Sequence, residues 1–334
     1  MISPPLALAA GLLGLALASA WSLSVGPVDT GLLQALRADS AGTPLADAVL
    51  WQLRAPRVAL AILAGAVLAV GGCAMQALFR NPLAEPGLLG LSSGAALGAA
   101  VAMVLIGGLA GFGGLLVPLC AFGGALAVAA LVTAVSRGQG QPRVASMLLA
   151  GLAVNAIAGA GLGLLATIAD DRALRGVTFW LFGSVGKVGW GTIAAASLPM
   201  LLASLLPMLR APAMNALMLG EAEAFHLGVD VARLKKLLLI SVVIGVGTAV
   251  SLTGIIGFVG LLVPHLVRLC CGHDNRSVLP ISAVWGALLL VCADAAGRAL
   301  MSPSELPVGI FTALLGGPFF LALLARQPSS LADR

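Results

Sequence analysis

Asn155 stands in a run of small residues, with Gly151, Gly159 and Gly163 at four-residue intervals around it. On a helix this spacing predicts one stripe almost bare of side chains, with Asn155 as its only strong hydrogen-bonding group. Such a stripe suits close helix packing or the wall of a wide pathway. A second candidate is the string from Gly220 to Gly228, where two glycines bound the sequence EAEAFHL. It predicts a short exposed helix with Glu221 and Glu223 in its first turn, where the helix dipole favours acids. His226 within it has no second ligand at a useful spacing and is not read as a metal site. Arg54, Arg57 and Arg298 flank helix ends, and Asp294 lies one turn before Arg298, in position to pair with it. Glu305 fits the N-terminal preference of the last helix and is read as structural. His265 is expected as a hydrogen-bonded structural histidine rather than a haem ligand, and Met147 and Met301 as packing residues rather than axial ligands.

Covalent and redox chemistry are poorly served. The five cysteines (Cys73, Cys120, Cys270, Cys271, Cys292) have no CxxC spacing and are read as small buried hydrophobes. No GxxxxGK[ST] or HExxH string occurs, so the phosphate cradle of a nucleotide hydrolase and a common zinc-hydrolase centre are missing from the sequence.

The elements that must carry these residues are membrane helices. Of the 334 residues, 60% are hydrophobic and 9% charged, and mean hydropathy is +1.08, whereas a soluble domain carries about 25% charge. At about 20 apolar residues per span the chain has room for about ten spans and no separate soluble domain. The expected spans are 4–25, 58–78, 91–106, 115–135, 144–168, 192–209, 237–252, 255–270, 278–297 and 306–325. The first resembles a signal peptide at Ala18-Ser19-Ala20, but no Lys or Arg precedes it and it is long enough to span, so it is taken as a transmembrane helix. Residues 26–54 read as an aqueous excursion, 136–143 as a tight polar loop, and 169–191 as a surface segment too polar to cross. Net charge is only +5 and carries no nucleic-acid signal.

The stretch from Gln76 to Gly98 breaks two of these helices apart. Pro82 and Pro86 remove backbone donors and restrict their neighbours, so the chain is expected to turn at the membrane surface. Ser92 and Ser93, with Gly94, are expected to cap or loosen the start of the next helix. Counting Lys and Arg by side puts Arg37, Arg54, Arg57, Arg172, Arg175, Lys187 and Arg298 on one face and the remaining eleven, Arg143, Arg326 and Arg334 among them, on the other. The positive-inside tendency then places both termini in the cytoplasm. Trp21, Trp51, Trp180 and Trp190 fall at the opposite, outer boundary, as an aromatic belt does.

RNPLAEPGLLGLSSGAALG, from Arg80 to Gly98, resembles the permeases of the iron-siderophore, haem and vitamin B12 class of ABC importers. The resemblance extends through WQLRAPR (51–57), residues 214–236, GFVGLLVPHLVRL (257–269) and ELPVGIFTALLGGPFFL (305–321), nearly the whole chain in one order. It implies an all-α polytopic fold of the type II ABC importer permease kind, one domain over residues 1–334 in the bacterial inner membrane. It further implies partners: a second copy of the chain, two ATP-hydrolysing subunits and a periplasmic solute-binding protein, with membrane lipid around them. No permanently bound cofactor is implied, ATP being used by the partner subunit, and the chain itself is expected to be a translocation subunit and not an enzyme.

Residue roles follow from the same resemblance. Met147, Gly151, Asn155, Gly159 and Gly163 would line the pathway. Residues 219–227 would form a coupling helix for the ATPase, with Leu219, Gly220, Glu221, Ala222, Phe225, His226, Leu227 and the bounding Gly228 as its contacts. Arg54, Arg57 and Arg298 would receive acidic residues of the binding protein, a task guanidinium forks suit. Arg80, the SSGAALG string and the C-terminal motif look closest to haem permeases, with vitamin B12 and ferric siderophores as alternative solutes. The rival outside this class is an ion-coupled secondary transporter, for which Asp294 is the nearest approach to a mid-membrane titratable site.

Overall fold

The computed structural model describes residues 2–26, 44–107, 114–138, 141–142, 144–186, 188–301 and 305–325. Of the basic residues weighed above, Arg37, Arg143, Lys187, Arg326 and Arg334 lie outside these, as does most of the excursion before Arg54. The described residues are helical almost throughout, and ten apolar helices among them correspond one to one with the expected spans. They are α1 Pro4–Ser24, α3 Ala55–Phe79, α4 Leu91–Leu105, α5 Leu116–Val135, α6 Val144–Ile168, α8 Trp190–Leu209, α11 Val231–Thr253, α12 Val259–Cys271, α13 Asn275–Leu300 and α14 Val308–Ala325. Seven of the ten are long and apolar enough to cross a bilayer; α4, α12 and α14 are shorter. Between them lie the short α2 Pro44–Ala48, the surface helix α7 Asp171–Leu181, and α9 Ala211–Leu219 followed by α10 Glu221–His226. The only strands among the described residues are β1 Arg137–Gly138 and β2 Gln141–Pro142, an antiparallel pair closing the polar loop after α5.

Boundaries moved where local chemistry overrode hydropathy. Residues 44–54, expected in water, are helical: a π-helical turn over Val49–Arg54 joins α2 to α3. Pro56 follows this turn without ending the helix, which runs on from Ala46 to Phe79, the wider π-helical turn just before it taking up the bond its missing N–H cannot make. The start of α11 lies six residues before the expected Leu237, because the Asp230 carboxylate accepts from the Arg233 N–H and caps it. The start of α12 lies four residues after the expected Ile255, since Gly254 and Phe258 both have positive φ, at 73° and 67°. Ser92 and Ser93 make no cap; Gly90, left-handed at φ 76°, precedes α4 in that role.

The turn after α3 is deeper than a surface break. Arg80 ends α3 in the left-handed region at φ 48°, and the Asn81 side chain accepts from the Leu83 N–H at 2.9 Å. The chain then folds back so that Pro86, opening a 3₁₀ turn over Pro86–Leu89, sits against Gly71. Gly71 is eight residues before the end of α3, so the turn climbs ~12 Å back along the helix.

The core is α3, held by α11, α13 and α12, while α1, α5, α6 and α8 leave most of their apolar surface for lipid or another chain. Two backbone crossings set this core. A Cβ on Gly65 would stand 2.3 Å from the Gly286 carbonyl oxygen, and one on Gly72 would stand 1.8 Å from the Gly260 oxygen. In lipid, where burial of apolar surface gives helices no net drive to associate, such close backbone approach supplies the dispersion contacts that do.

Candidate functional site

At the end of the bundle where α3 terminates, α9 and α10 form a ledge. Gly220 breaks the chain between them with φ 148°, and the Glu223 carboxylate occupies the space a Cβ there would need. Around this break Leu219, Phe225 and Leu227 are 70%, 71% and 65% exposed, an apolar cluster on an otherwise charged segment. Ala222 and His226 are exposed beside them, and Gly228, at φ 81°, turns the chain toward α11. Two anchors hold the ledge from beneath. Glu221 pairs with the buried Lys235 of α11 at 2.5 Å, and the Asn215 amide donates to Asp274 Oδ1 at 2.6 Å. The expected helix over 219–227 is thus two helices meeting at Gly220.

The opposite end carries the arginines. The Arg298 guanidinium donates to Asp294 Oδ2 at 3.2 Å and Ser22 Oγ at 2.7 Å, and also to the Ser22 and Val25 carbonyls. Arg57 bridges Asp294 Oδ1 and Glu305 Oε1, both at 2.8 Å. Arg54 donates to the Leu23 and Ser24 carbonyls at 2.7 and 3.1 Å. All three therefore lie below the surface, tying α1, α3, α13 and the segment before α14 together, and Asp294 is shared between two guanidiniums. Glu305 helps close this cluster instead of capping a helix. Trp190 Nε1 donates to the Trp51 carbonyl at 2.7 Å, which brings those two exposed tryptophans together.

Along α6 the glycine stripe does not keep to one face. Met147 and Gly151 turn inward, where a Cβ on Gly151 would meet the Leu88 carbonyl at 2.0 Å. Asn155 Oδ1 is buried near Gly90 with no hydrogen-bond partner among the described residues, while Gly159 and Gly163 face open space. The reason is helical pitch: each four-residue step advances about 400°, a drift of about 40°, so four steps carry Gly163 to the far side from Met147.

His265 departs from its expectation as well. Its Nε2 is buried and lacks a partner among the described residues, and the ring meets Phe319 edge to face at 6.3 Å. Phe258, Leu83 and Phe320 complete a small apolar recess around it, which explains why no polar group reaches the nitrogen. No cluster of three or more His, Cys, Asp or Glu suited to a metal exists among the described residues.

Sequence reasoning missed a further buried polar group. Gln76, Arg268 and Asn275 come from three different helices and meet beneath the ledge. The GFVGLLVPHLVRL motif contains Arg268, yet nothing in its spacing points to Gln76, 192 residues away.

The model of the FecCD transport family matches residues 14–326. The Hemin transport system permease protein HmuU of Yersinia pestis is 44% identical over 309 residues, spanning 91% of this chain and 92% of that protein. The Cobalamin import system permease protein BtuC of Halobacterium salinarum is 42% identical over 284 residues, 84% of this chain and 74% of its own length. A chain of a solved ABC transporter in an inward-facing conformation shares the fold with TM-score 0.85 at 31% identity, covering 96% of this chain and 99% of that one.

Proposed function

The chain belongs to the FecCD transport family of ABC transporter permeases, and from that premise we propose that it carries haem across the bacterial inner membrane into the cytoplasm. The near full-length likeness to the hemin permease carries the choice of solute, with cobalamin as the second reading because cobalamin permeases match almost as well. Two copies of the chain would form the pathway between their α6 helices, with the open Gly159 and Gly163 surfaces as its smooth part and Met147, Gly151 and Asn155 supporting the wall from behind. Both termini and the α9–α10 ledge then face the cytoplasm, and the arginine end faces the periplasm.

ATP hydrolysis belongs to two separate subunits seated on α10. Leu219, Phe225 and Leu227 supply an apolar contact that ordering against a groove would desolvate, and His226 a polar one. ATP-driven movement of this seat changes which end of the α6 pathway is open. No bond in the solute is broken; the permease works by being wide, weakly binding and alternately gated. At the periplasmic rim a solute-binding protein would reach Arg57 by replacing Glu305, whose carboxylate is half exposed and easily exchanged. Arg54 and Arg298 then hold the rim in shape.

Proteoliposomes containing this chain, its ATPase and its binding protein test the reading, with haem, cobalamin and a ferric siderophore offered in turn. ATP-dependent uptake of haem alone is expected. Uptake of cobalamin alone would move the solute to the second reading, and uptake driven by an ion gradient without ATP would overturn the importer itself.

A further inference from the structure

Beneath the ledge, Arg268 of α12 is buried with no carboxylate within ion-pairing distance among the described residues. Amides hold it instead. One arm donates to Gln76 Oε1 of α3 and the other to Asn275 Oδ1 of α13 at 3.4 Å, while its Nε is buried without a partner. The line continues in both directions. Asn275 donates from its backbone N and its Nδ2 to Asn215 Oδ1 of α9, at 2.9 and 2.8 Å, five residues before the Gly220 break. Gln76 gives its Nε2 to the Gly260 carbonyl at 3.5 Å, and its backbone carbonyl, in the last turn of α3, accepts from Asn81 N at 3.1 Å where the re-entrant turn begins. Side-chain hydrogen bonds thus run from the root of α10 through Asn215, Asn275 and Arg268 to Gln76, in the last turn of α3, whose backbone leads into the turn over 80–90.

Such a group opposes folding. A buried cation without a counter-charge is less stable than an apolar side chain of similar volume, and each unmet N–H adds to the deficit. Packing alone therefore gives no reason for an arginine here. Its geometry does: only a planar fork grips Gln76 and Asn275 at once, and neutral acceptors can slide or exchange without stranding a second charge. A carboxylate partner would lock the joint.

We propose that Arg268 is a positioning residue that transmits movement of the α9–α10 ledge, through Asn275 and Gln76, to the turn over 80–90. The assignment rests on the reading of α10 as the ATPase seat. The turn in turn presses on α6, since Gly151 packs against the Leu88 carbonyl and Asn155 lies beside Gly90, so displacing it displaces the proposed pathway wall.

The test is made in proteoliposomes with the complete transporter, measuring ATP hydrolysis and haem uptake separately. Arg268→Gln and Asn215→Ala are each expected to keep ATP hydrolysis within about twofold while lowering uptake about tenfold, with the double variant no worse than the single ones. Arg268→Lys should not restore uptake, because a point charge cannot hold both amides. Hydrolysis and uptake falling in step, or full rescue by lysine, would overturn the proposal. Spin labels at Glu223 and Pro82 in a cysteine-free background give a second readout that needs only the half-buried variant Asn215→Ala. Both labels should move on ATP binding in the otherwise native chain, and only Glu223 in the variant. A Glu223 label that stays still in the native chain defeats the ATPase-seat reading; one that moves while Pro82 stays still defeats the relay.

Discussion

Removing Asp294 leaves two buried guanidiniums without the carboxylate they share. Deleting one partner of a buried ion pair destabilises by about 3–5 kcal/mol, because the other charge stays buried and unmatched. Asp294→Ala should therefore lower the melting temperature of the detergent-purified chain far more than Glu305→Gln, whose carboxylate is half in water. Equal, small shifts would mean that the Ser22 and Val25 carbonyls alone hold Arg298. At the other end, Asp274 lies below the ordinary aspartate range, chiefly because the Arg276 N–H and then the Asn215 amide bond its charged form. A depressed folded-state pKa stabilises above the unfolded value of about 3.9 and is lost as pH falls through the folded value. Melting followed from pH 7 to 3 should lose this contribution only below about pH 4, by a small amount for so exposed a group, and Asp274→Asn should remove that acid step.

Helices depend on where a glycine faces. On α3, Gly72→Ala drives a methyl group into the Gly260 backbone, which cannot withdraw as a side chain end can, and a loss of about 1–3 kcal/mol is expected. On α6, Gly163→Ala meets nothing and should change stability by less than about 0.5 kcal/mol. If Gly163→Leu also leaves melting unchanged but stops uptake, the open face is the pathway; unchanged uptake would place it against lipid. For α10, Phe225→Ser with Leu227→Ser removes exposed apolar area and should free the ATPase on size exclusion while leaving the permease folded. Retention of the ATPase would move its seat elsewhere.

Across the molecule, composition and the order of apolar runs made ten helices and a polytopic membrane fold legible, because in hydrocarbon every backbone group must bond within its own helix and about 20 apolar residues are then required. The α6 boundaries, Val144 and Ile168, were readable to the residue, set by Arg143 just before the helix and by Asp170 and Asp171 soon after it. The ledge was legible too, since glycines at 220 and 228 bracket a charged string. What escaped was whatever depends on partners distant in sequence. The pairing of Asp294 with Arg298, one turn apart, was readable from spacing, yet only tertiary structure decided that Arg57 shares Asp294, that Glu305 joins it, and that the end of α1 holds Arg54 and Arg298. The stripe on α6 looked uniform as a string, and the 3.6-residue pitch, set against the re-entrant turn, divided it into a packed half and an open half. The Arg268–Gln76 bond joins positions 192 residues apart, and no local pattern encodes such a meeting. Hydrophobicity and turn chemistry, being local, fixed the number and order of helices; pairing of buried polar groups, being a property of the assembled bundle, decided what those helices hold in place.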